Sequence, residues 1–109
     1  MKKNIEKIKY VLELYRHWRK CDSYKPFYVE LLVSAKCNSR CVMCNVWKLA
    51  KKNPEVLDYE LSTSEIKNLL RELSEIGTKR VFISGGEPLL REDIVEIIEY
   101  AKKEKLRSI

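Results

Sequence analysis

The sequence predicts an α/β fold, the N-terminal portion of a partial (β/α) barrel or sheet preceded by an amphipathic helix. Strand-like apolar runs alternate with helical periodicity, in the order strand, helix, strand, helix and the start of a strand. This alternation predicts parallel strands joined by crossover helices. The chain of 109 residues stops on the third strand, so we expect an incomplete domain over residues 26–109, after a separate segment over residues 1–25.

The N-terminal segment is predicted to form a basic amphipathic helix over residues 4–20. It holds eight Lys or Arg against three acidic residues, so most of the chain's net charge of +6 lies here. We expect the helix to pack on the following domain with its basic face in water. An anionic partner, either a membrane surface or a nucleic acid, is the alternative. The stripe has a period of 3.6 residues and comprises Ile5, Ile8, Leu12 and Tyr15.

Three segments carry strand signals: Phe27–Val33, Arg80–Ser84 and Leu106–Ile109. Both faces of the first segment are mostly apolar, as expected for a parallel strand that is covered on both sides. Glu30 is the exception, and it fits either a paired carboxylate in the core or a polar barrel interior.

Two further helices are expected between these strands. The first begins with a capping box at Ser62 and Glu65, and Gly77 follows it at the position where a left-handed residue often ends a helix. The second covers residues 91–103. Residues 48–61 are polar and show no period, so they are interpreted as a connection.

The composition is that of a folded domain outside the membrane. Hydrophobic residues make up 45% of the chain and charged residues 35%. No apolar run approaches the ~20 residues of a membrane span, and the N-terminus lacks the apolar centre of a signal peptide. We therefore expect a cytoplasmic protein, whose thiols stay reduced and can bind metal.

Three cysteines follow the first predicted strand at the spacing C-x3-C-x2-C: Cys37, Cys41 and Cys44. In a strand, side chains separated by three and by four residues could not converge on one centre, so the spacing predicts a compact loop. A closed structural site usually has four protein ligands. Three thiolates therefore indicate a metal centre with an open coordination position, where chemistry can occur.

A glycine-rich segment directly follows the second strand: Gly85, Gly86, Glu87 and Pro88. The two glycines allow a positive φ or a close approach of the backbone to a ligand, and Pro88 suits the start of a helix. By itself this segment could be an ordinary turn from a strand to a helix.

The two motifs together resemble the N-terminal half of a radical S-adenosylmethionine (radical SAM) domain, from about residue 27 to the end of the chain. The resemblance implies that Cys37, Cys41 and Cys44 bind a [4Fe-4S] cluster whose fourth iron chelates S-adenosylmethionine. It further implies reductive cleavage to a 5′-deoxyadenosyl radical, which abstracts hydrogen from a substrate that the sequence does not indicate. An external electron donor of the flavodoxin or ferredoxin type is implied as a partner.

The resemblance also assigns expectations to the neighbouring residues. Gly85, Gly86, Glu87 and Pro88 would contact the methionine part of S-adenosylmethionine. Met43 stands where the family often has an aromatic residue near the adenine, and a flexible thioether can pack against that ring. No catalytic residue is identified beyond the cluster ligands. Trp47 is interpreted as a lid or packing residue of the loop.

Two alternatives use the same cysteines differently. A non-enzymatic zinc module would take a fourth ligand from Cys21 or His17, although that pairing departs from the usual spacing of zinc ligands. An inactive fragment of the enzyme is the other alternative. Cys21 is otherwise expected to be a free, partly buried thiol.

Overall fold

The computed structural model describes residues 2–19 and 25–109, with backbone alone for residues 2–7 and 17. An N-terminal helix is followed by alternating strands and helices, as the sequence predicted. The helices are α1 (Lys2–Arg19), α2 (Val46–Lys52), α3 (Thr63–Glu75) and α4 (Ile94–Lys103). The strands are β1 (Tyr28–Ser34), β2 (Arg80–Gly85) and β3 (Arg107–Ser108). Two 3-10 helices cover Pro54–Tyr59 and Pro88–Leu90.

The three strands form one parallel sheet in the order β1-β2-β3. Tyr28 lies opposite Arg80, and the pairing continues in step to Leu32 opposite Ser84. The register then shifts, so that Val33 is an extra residue on β1. This bulge lies at the carboxyl end of the strand, directly before the cysteine loop. The α/β class and the parallel pairing are therefore confirmed.

The core lies on one face of the sheet, between the strands and the two long helices. Alternate residues of β1 and β2 point into it, and α3 and α4 bury their apolar stripes against them. On the other face of β1, Tyr28, Glu30 and Leu32 are exposed. Glu30 therefore does not form part of this core. Central core residues are Leu31, Val33, Ile66, Leu70, Val81, Ile97 and Ala101.

Helix α3 has the ends that the sequence predicted. The Ser62 hydroxyl accepts a hydrogen bond from the Glu65 backbone N–H, and the Glu65 carboxylate accepts one from the Ser62 N–H. Gly77 ends the helix with a φ of +95°. Both features arise from local sequence, which is why they could be recognised without the fold.

Residues 48–61 are not the irregular connection that was expected. Helix α2 and a 3-10 helix occupy most of this region. Helix α2 buries none of its side chains, so it needs no apolar period and shows none. It stops before Pro54, because proline disfavours helical backbone in the residue that precedes it.

Helix α4 begins at Ile94, three residues later than expected. Arg91 is extended, with φ of −82° and ψ of 123°, and separates α4 from the 3-10 helix that Pro88 starts. Long-range hydrogen bonds of the Arg91 side chain, described below, account for this delay.

Helix α1 contacts the domain mainly through Tyr10. The Arg80 guanidinium lies 3.7 Å from the centroid of the Tyr10 ring, and Phe27 packs on the same ring at 6.3 Å. The expectation that the apolar stripe itself packs on the domain is wrong for its described residues. Ile8, Leu12 and Tyr15 are exposed. So are Val11 and Trp18, which widen the same stripe. Within residues 2–19 and 25–109, no helix is long and apolar enough to cross a membrane.

Candidate metal and cofactor site

The cysteine loop starts three residues after the end of β1. Cys37 and Cys44 are half-buried and Cys41 is exposed, and all three thiols are free of disulfides. Val42 and Met43, between the last two cysteines, are each 91% exposed. The loop therefore lies at the surface, at the carboxyl edge of the sheet, with Cys41 its most exposed cysteine.

Three hydrogen bonds hold the second half of this loop. The Cys44 N–H donates to the Cys41 carbonyl at 3.2 Å, which closes a turn. The Trp47 indole N–H donates to the same carbonyl at 3.0 Å. Lys48 donates from Nζ to the Val42 carbonyl at 3.4 Å. Trp47 thus contacts the loop, in agreement with its interpretation as a packing residue.

The three thiols do not converge on one centre in this structure. Among the described residues, no group of three or more His, Cys, Asp or Glu side chains is placed to hold a metal ion. The chemistry of the donors nevertheless fits an iron–sulfur cluster, since thiolates on a short loop are its usual ligands. Cys21 lies outside the described residues and His17 is described only as backbone, so the structure describes neither side chain.

The glycine segment contacts the residues that lead from β1 into the cysteine loop. The Gly86 N–H donates to the Ser34 carbonyl at 2.7 Å, and the Glu87 N–H donates to the Lys36 carbonyl at 2.8 Å. Lys36 directly precedes Cys37. The two motifs, separated by forty residues of sequence, therefore meet at one edge of the sheet through backbone hydrogen bonds.

The glycines make this contact possible. A Cβ atom on Gly85, whose φ is +140°, would lie 2.3 Å from the Ser34 carbonyl oxygen. A Cβ atom on Gly86 would lie 2.3 Å from the Lys36 carbonyl oxygen. Both distances are far below van der Waals contact. The close approach that the sequence suggested is thus, in this structure, an approach to the chain's own backbone.

Glu87 and Pro88 shape the turn into the following 3-10 helix. Pro88 occupies its first turn, where a missing N–H costs nothing. The Glu87 carboxylate accepts a hydrogen bond from the Leu89 N–H at 3.1 Å and caps the helix. The carboxylate therefore has a local structural partner.

Sequence reasoning missed Arg91, which ties this turn to β1. Its Nη1 donates to the Val33 carbonyl at 2.7 Å, at the bulge. Its Nε and Nη2 donate to the two carboxylate oxygens of Asp93 at 2.7 and 2.8 Å. Thr63 donates to Asp93 at 2.5 Å. The hydrogen bonds from Arg91 hold the pKa of Asp93 well below its usual range, and the carboxylate in turn raises the pKa of Arg91.

Glu60 was also missed, and it supports the same strand end. Its Oε1 accepts from the Ser34 hydroxyl at 2.9 Å and from the Ala35 N–H at 2.7 Å. The Ser34 hydroxyl oxygen accepts in turn from the Lys36 N–H at 3.0 Å. The backbone that leads into the cysteine loop is thus satisfied by side chains from two distant segments.

Sequence signals for these two residues are weak. Arg91-x-Asp93 before a helical stripe suggests only local pairing. Nothing around Glu60 distinguishes it from a surface carboxylate. A pairwise signal between distant positions would have been needed to find either contact.

In a comparison with known proteins, residues 31–109 match the family model of the radical SAM superfamily. A probable GTP 3′,8-cyclase of Methanothermobacter marburgensis is 36% identical over 81 residues, which is 74% of this chain and 25% of that protein. A GTP 3′,8-cyclase of Lactiplantibacillus plantarum is 41% identical over 74% of this chain and 24% of its own length. A PqqA peptide cyclase of Bradyrhizobium diazoefficiens is 40% identical over 70% of this chain and 19% of its own length. The chain thus covers a quarter or less of these curated relatives.

Proposed function

Because this chain belongs to the radical SAM superfamily, we propose that its cysteine loop holds a [4Fe-4S] cluster and that the open iron of this cluster binds S-adenosylmethionine. In this proposal Cys37, Cys41 and Cys44 are the three protein ligands. Reduction of the bound pair by an external donor would cleave S-adenosylmethionine and supply a 5′-deoxyadenosyl radical for hydrogen abstraction from a substrate. The protein would be an enzyme.

The proposal rests on the contact between the glycine segment and the residues that precede the cysteine loop. Backbone hydrogen bonds from Gly86 and Glu87 fix the glycine segment to the residues that lead into Cys37. A ligand bound to a metal in the cysteine loop would therefore lie beside Gly85–Pro88, as the resemblance requires. Ligands of parallel α/β domains commonly bind at the carboxyl ends of strands, where both motifs are found.

The residues of this chain would have three tasks. The thiols would come together when the cluster binds. Gly85, Gly86, Glu87 and Pro88 would orient the methionine part of S-adenosylmethionine, and Met43 would pack near the adenine. The strand-end contacts of Arg91 and Glu60 would keep the loop and the turn in register. Residues 26–109 would be the first part of a radical SAM barrel, with residues 1–25 as a separate preceding segment.

The names of the relatives differ in the substrate, so similarity over this region does not indicate a substrate. Two are named for GTP and one for a peptide, yet each is similar to this chain over 70% or more of its length. We therefore assign to residues 31–109 the cofactor chemistry that such enzymes share and assign no substrate.

Anaerobic reconstitution with iron and sulfide tests the proposal. We expect a brown protein with about four iron and four sulfide per chain. Cys41→Ala should abolish the cluster, whereas Cys21→Ala should leave it intact. Incubation of the reduced holoprotein with S-adenosylmethionine should give 5′-deoxyadenosine. A centre that contains zinc without sulfide, or one that requires Cys21, would refute the assignment of ligands.

A further inference from the structure

Helix α1 has a row of apolar side chains that the domain leaves uncovered. Their separations of three, one, three and three residues place them on one side of the helix. Single exposed apolar residues are ordinary on a protein surface, whereas a contiguous set marks a site of interaction. The side chains of this row are between 48% and 71% exposed, and we call them the outer stripe: Ile8, Val11, Leu12, Tyr15 and Trp18.

The domain contacts α1 from the side opposite the outer stripe. The Tyr10 ring contacts the Arg80 guanidinium and the Phe27 ring. Each residue of an α-helix advances the chain by about 100° around the helix axis, so that Leu12 lies about 160° from Tyr10. The contact with the domain therefore leaves the outer stripe facing away from it.

Cations border the outer stripe. Lys9 lies one helical turn before Leu12 and Arg16 one turn after it, and both are exposed. The Arg19 guanidinium lies 5.9 Å from the centroid of the Tyr15 ring. Among the side chains that the structure describes, no carboxylate lies within ion-pair distance of these three cations. Their charges are therefore available to an anionic partner.

Two aromatic residues lie in the last turns of the outer stripe. The ring centroids of Tyr15 and Trp18 are 6.5 Å apart. Tyrosine and tryptophan are enriched at membrane interfaces, because each has an apolar ring with one polar group. Aliphatic and aromatic side chains on one side of a helix, bordered by Lys and Arg, are typical of a helix that lies in the plane of a membrane surface.

We propose that α1 binds the surface of an anionic phospholipid membrane. The outer stripe would enter the boundary between headgroups and acyl chains, and Lys9, Arg16 and Arg19 would lie at the headgroup phosphates. The charges are complementary, since residues 1–25 hold eight basic and three acidic side chains and the headgroup layer is negative. The domain would stay in water on the other side of α1. This site is separate from the proposed metal and cofactor site and needs neither group.

A lipid surface fits the outer stripe better than a second copy of the chain does. Two copies that paired through their stripes would bring the cations of both helices together, and like charges repel. Glu13 is the one acidic residue among residues 8–19, so little negative charge would offset that repulsion.

Nucleic acid is also a poorer fit. Phosphates would pair with the cations, and bases would stack on Tyr15 and Trp18. The aliphatic side chains of Ile8, Val11 and Leu12 would then stay in water. A membrane surface supplies both the negative charge and the apolar layer.

Vesicle binding by the 109-residue protein tests the proposal. We expect strong binding to phosphatidylcholine vesicles that contain about 30% phosphatidylglycerol, and binding at least tenfold weaker to phosphatidylcholine alone. Affinity for the anionic vesicles should fall several-fold between about 10 mM and 150 mM ionic strength, because salt screens exposed charges. Part of the binding should persist at the higher ionic strength, because salt does not screen the burial of apolar side chains.

The cations are tested by the variant K9Q/R16Q. It should bind the anionic vesicles about tenfold more weakly, because it loses two charges at the headgroup layer. The matched control is K102Q/K103Q, which removes two exposed lysines from the last turn of α4. The control should bind as the unmodified protein does, since α4 is not part of the proposed surface.

The apolar contribution is tested by L12S. We expect affinity for the anionic vesicles to fall about tenfold, because serine cannot replace the buried leucine. V95S is the matched control, since Val95 is an apolar residue of α4 that is 64% exposed. Its affinity should equal that of the unmodified protein.

Trp18 gives a readout that leaves the outer stripe unchanged. The chain has two tryptophans, so in Trp47→Phe the tryptophan emission comes from Trp18 alone. We expect this emission to shift to shorter wavelength with anionic vesicles, because an indole that is 71% exposed moves out of water. Phosphatidylcholine vesicles should produce no shift at the same lipid concentration.

Three results would overturn the inference. The first is equal affinity for vesicles with and without phosphatidylglycerol. The second is an equal loss of affinity in K9Q/R16Q and K102Q/K103Q. The third is an absence of vesicle binding together with self-association that L12S abolishes, or with binding of oligo-uridine RNA that K9Q/R16Q abolishes. Iron and sulfide content tests the cluster separately, so the two proposals can fail independently.

Discussion

Arg91 donates a hydrogen bond to the backbone carbonyl of Val33 across 58 residues of sequence, at a distance of 2.7 Å. Val33 is the bulged residue of β1 and is almost fully buried. The bond therefore satisfies a carbonyl at the irregular end of the strand, four residues before Cys37. It also links the turn after the glycine segment to the strand before the cysteines. Arg91 is in this way a structural tie between the two motifs.

Replacing Arg91 by leucine should reduce the free energy of unfolding by about 2–3 kcal/mol, because the Val33 carbonyl loses this donor and the Asp93 carboxylate keeps only its bond from Thr63. Chemical denaturation measures this loss. Arg71→Leu is the matched control, since Arg71 and Glu75 form an exposed pair at 3.9 Å. That change should cost less than about 0.5 kcal/mol. Equal effects of the two variants would contradict the role assigned to Arg91.

Asp93 should contribute stability that depends on pH. Its pKa in the folded protein lies below the ordinary aspartate value of 3.8, because it accepts hydrogen bonds from Arg91 and Thr63. A carboxylate with a lowered pKa stabilises the fold fully above its unfolded pKa and loses that contribution as the pH falls through its folded pKa. Asp93→Asn should therefore be destabilising at neutral pH, and the difference from the unmodified protein should shrink as the pH falls below 3.8.

The same pH series with Asp58→Asn controls for the loss of one negative charge, since Asp58 is exposed. Its difference from the unmodified protein should be small at every pH. A difference for Asp93→Asn that stays constant down to strongly acidic pH would show that the carboxylate charge has no part in the network.

The sequence was sufficient where structure is determined locally. The capping box at Ser62, the left-handed Gly77 and the strand that ends at the glycine segment depend on neighbouring residues, and all were predicted. Helix α2 was not, because a helix that buries nothing leaves no apolar period to detect. The late start of α4 depends on the bonds of Arg91 to a strand far away in sequence.

The positions of the two motifs after their strands were predictable, and the contacts around them were less so. Cysteine and glycine motifs are visible as spacings, and the structure places both at one edge of the sheet. Contacts made by Glu60 and Arg91 span 25 to 58 residues, and no local pattern encodes them. The spacing of the three cysteines also did not show that their thiols are separated in this structure.

Replacing Gly86 by alanine should disrupt the backbone contact between the glycine segment and the start of the cysteine loop. Its Cβ would lie 2.3 Å from the Lys36 carbonyl oxygen and 2.8 Å from that of Ala35, so one backbone segment must move. We expect a loss of about 1–3 kcal/mol in the free energy of unfolding, as for other overpacked sites. Reconstitution should also yield less cluster, because Lys36 leads directly into Cys37.

Gly77→Asn is the control for this glycine. Gly77 also needs a left-handed backbone, but a Cβ there would have no neighbour closer than 3.9 Å. Asparagine tolerates that conformation, so the change should be nearly neutral. If Gly86→Ala retained full stability and a full cluster, the close backbone approach would not be required.

Replacing Trp47 by phenylalanine should weaken the hold on the cysteine loop, because it removes a hydrogen bond. An aromatic ring would still occupy the same position. The change removes the N–H that donates to the Cys41 carbonyl at 3.0 Å, a bond worth about 1 kcal/mol. Since that bond restrains a proposed ligand, the reconstituted cluster should bleach about fivefold faster in air, as measured by its visible absorbance. Trp18→Phe, at a residue 71% exposed on α1, is the control and should bleach at the unmodified rate. Equal rates for the two variants would mean that the indole hydrogen bond does not hold the loop around its cluster.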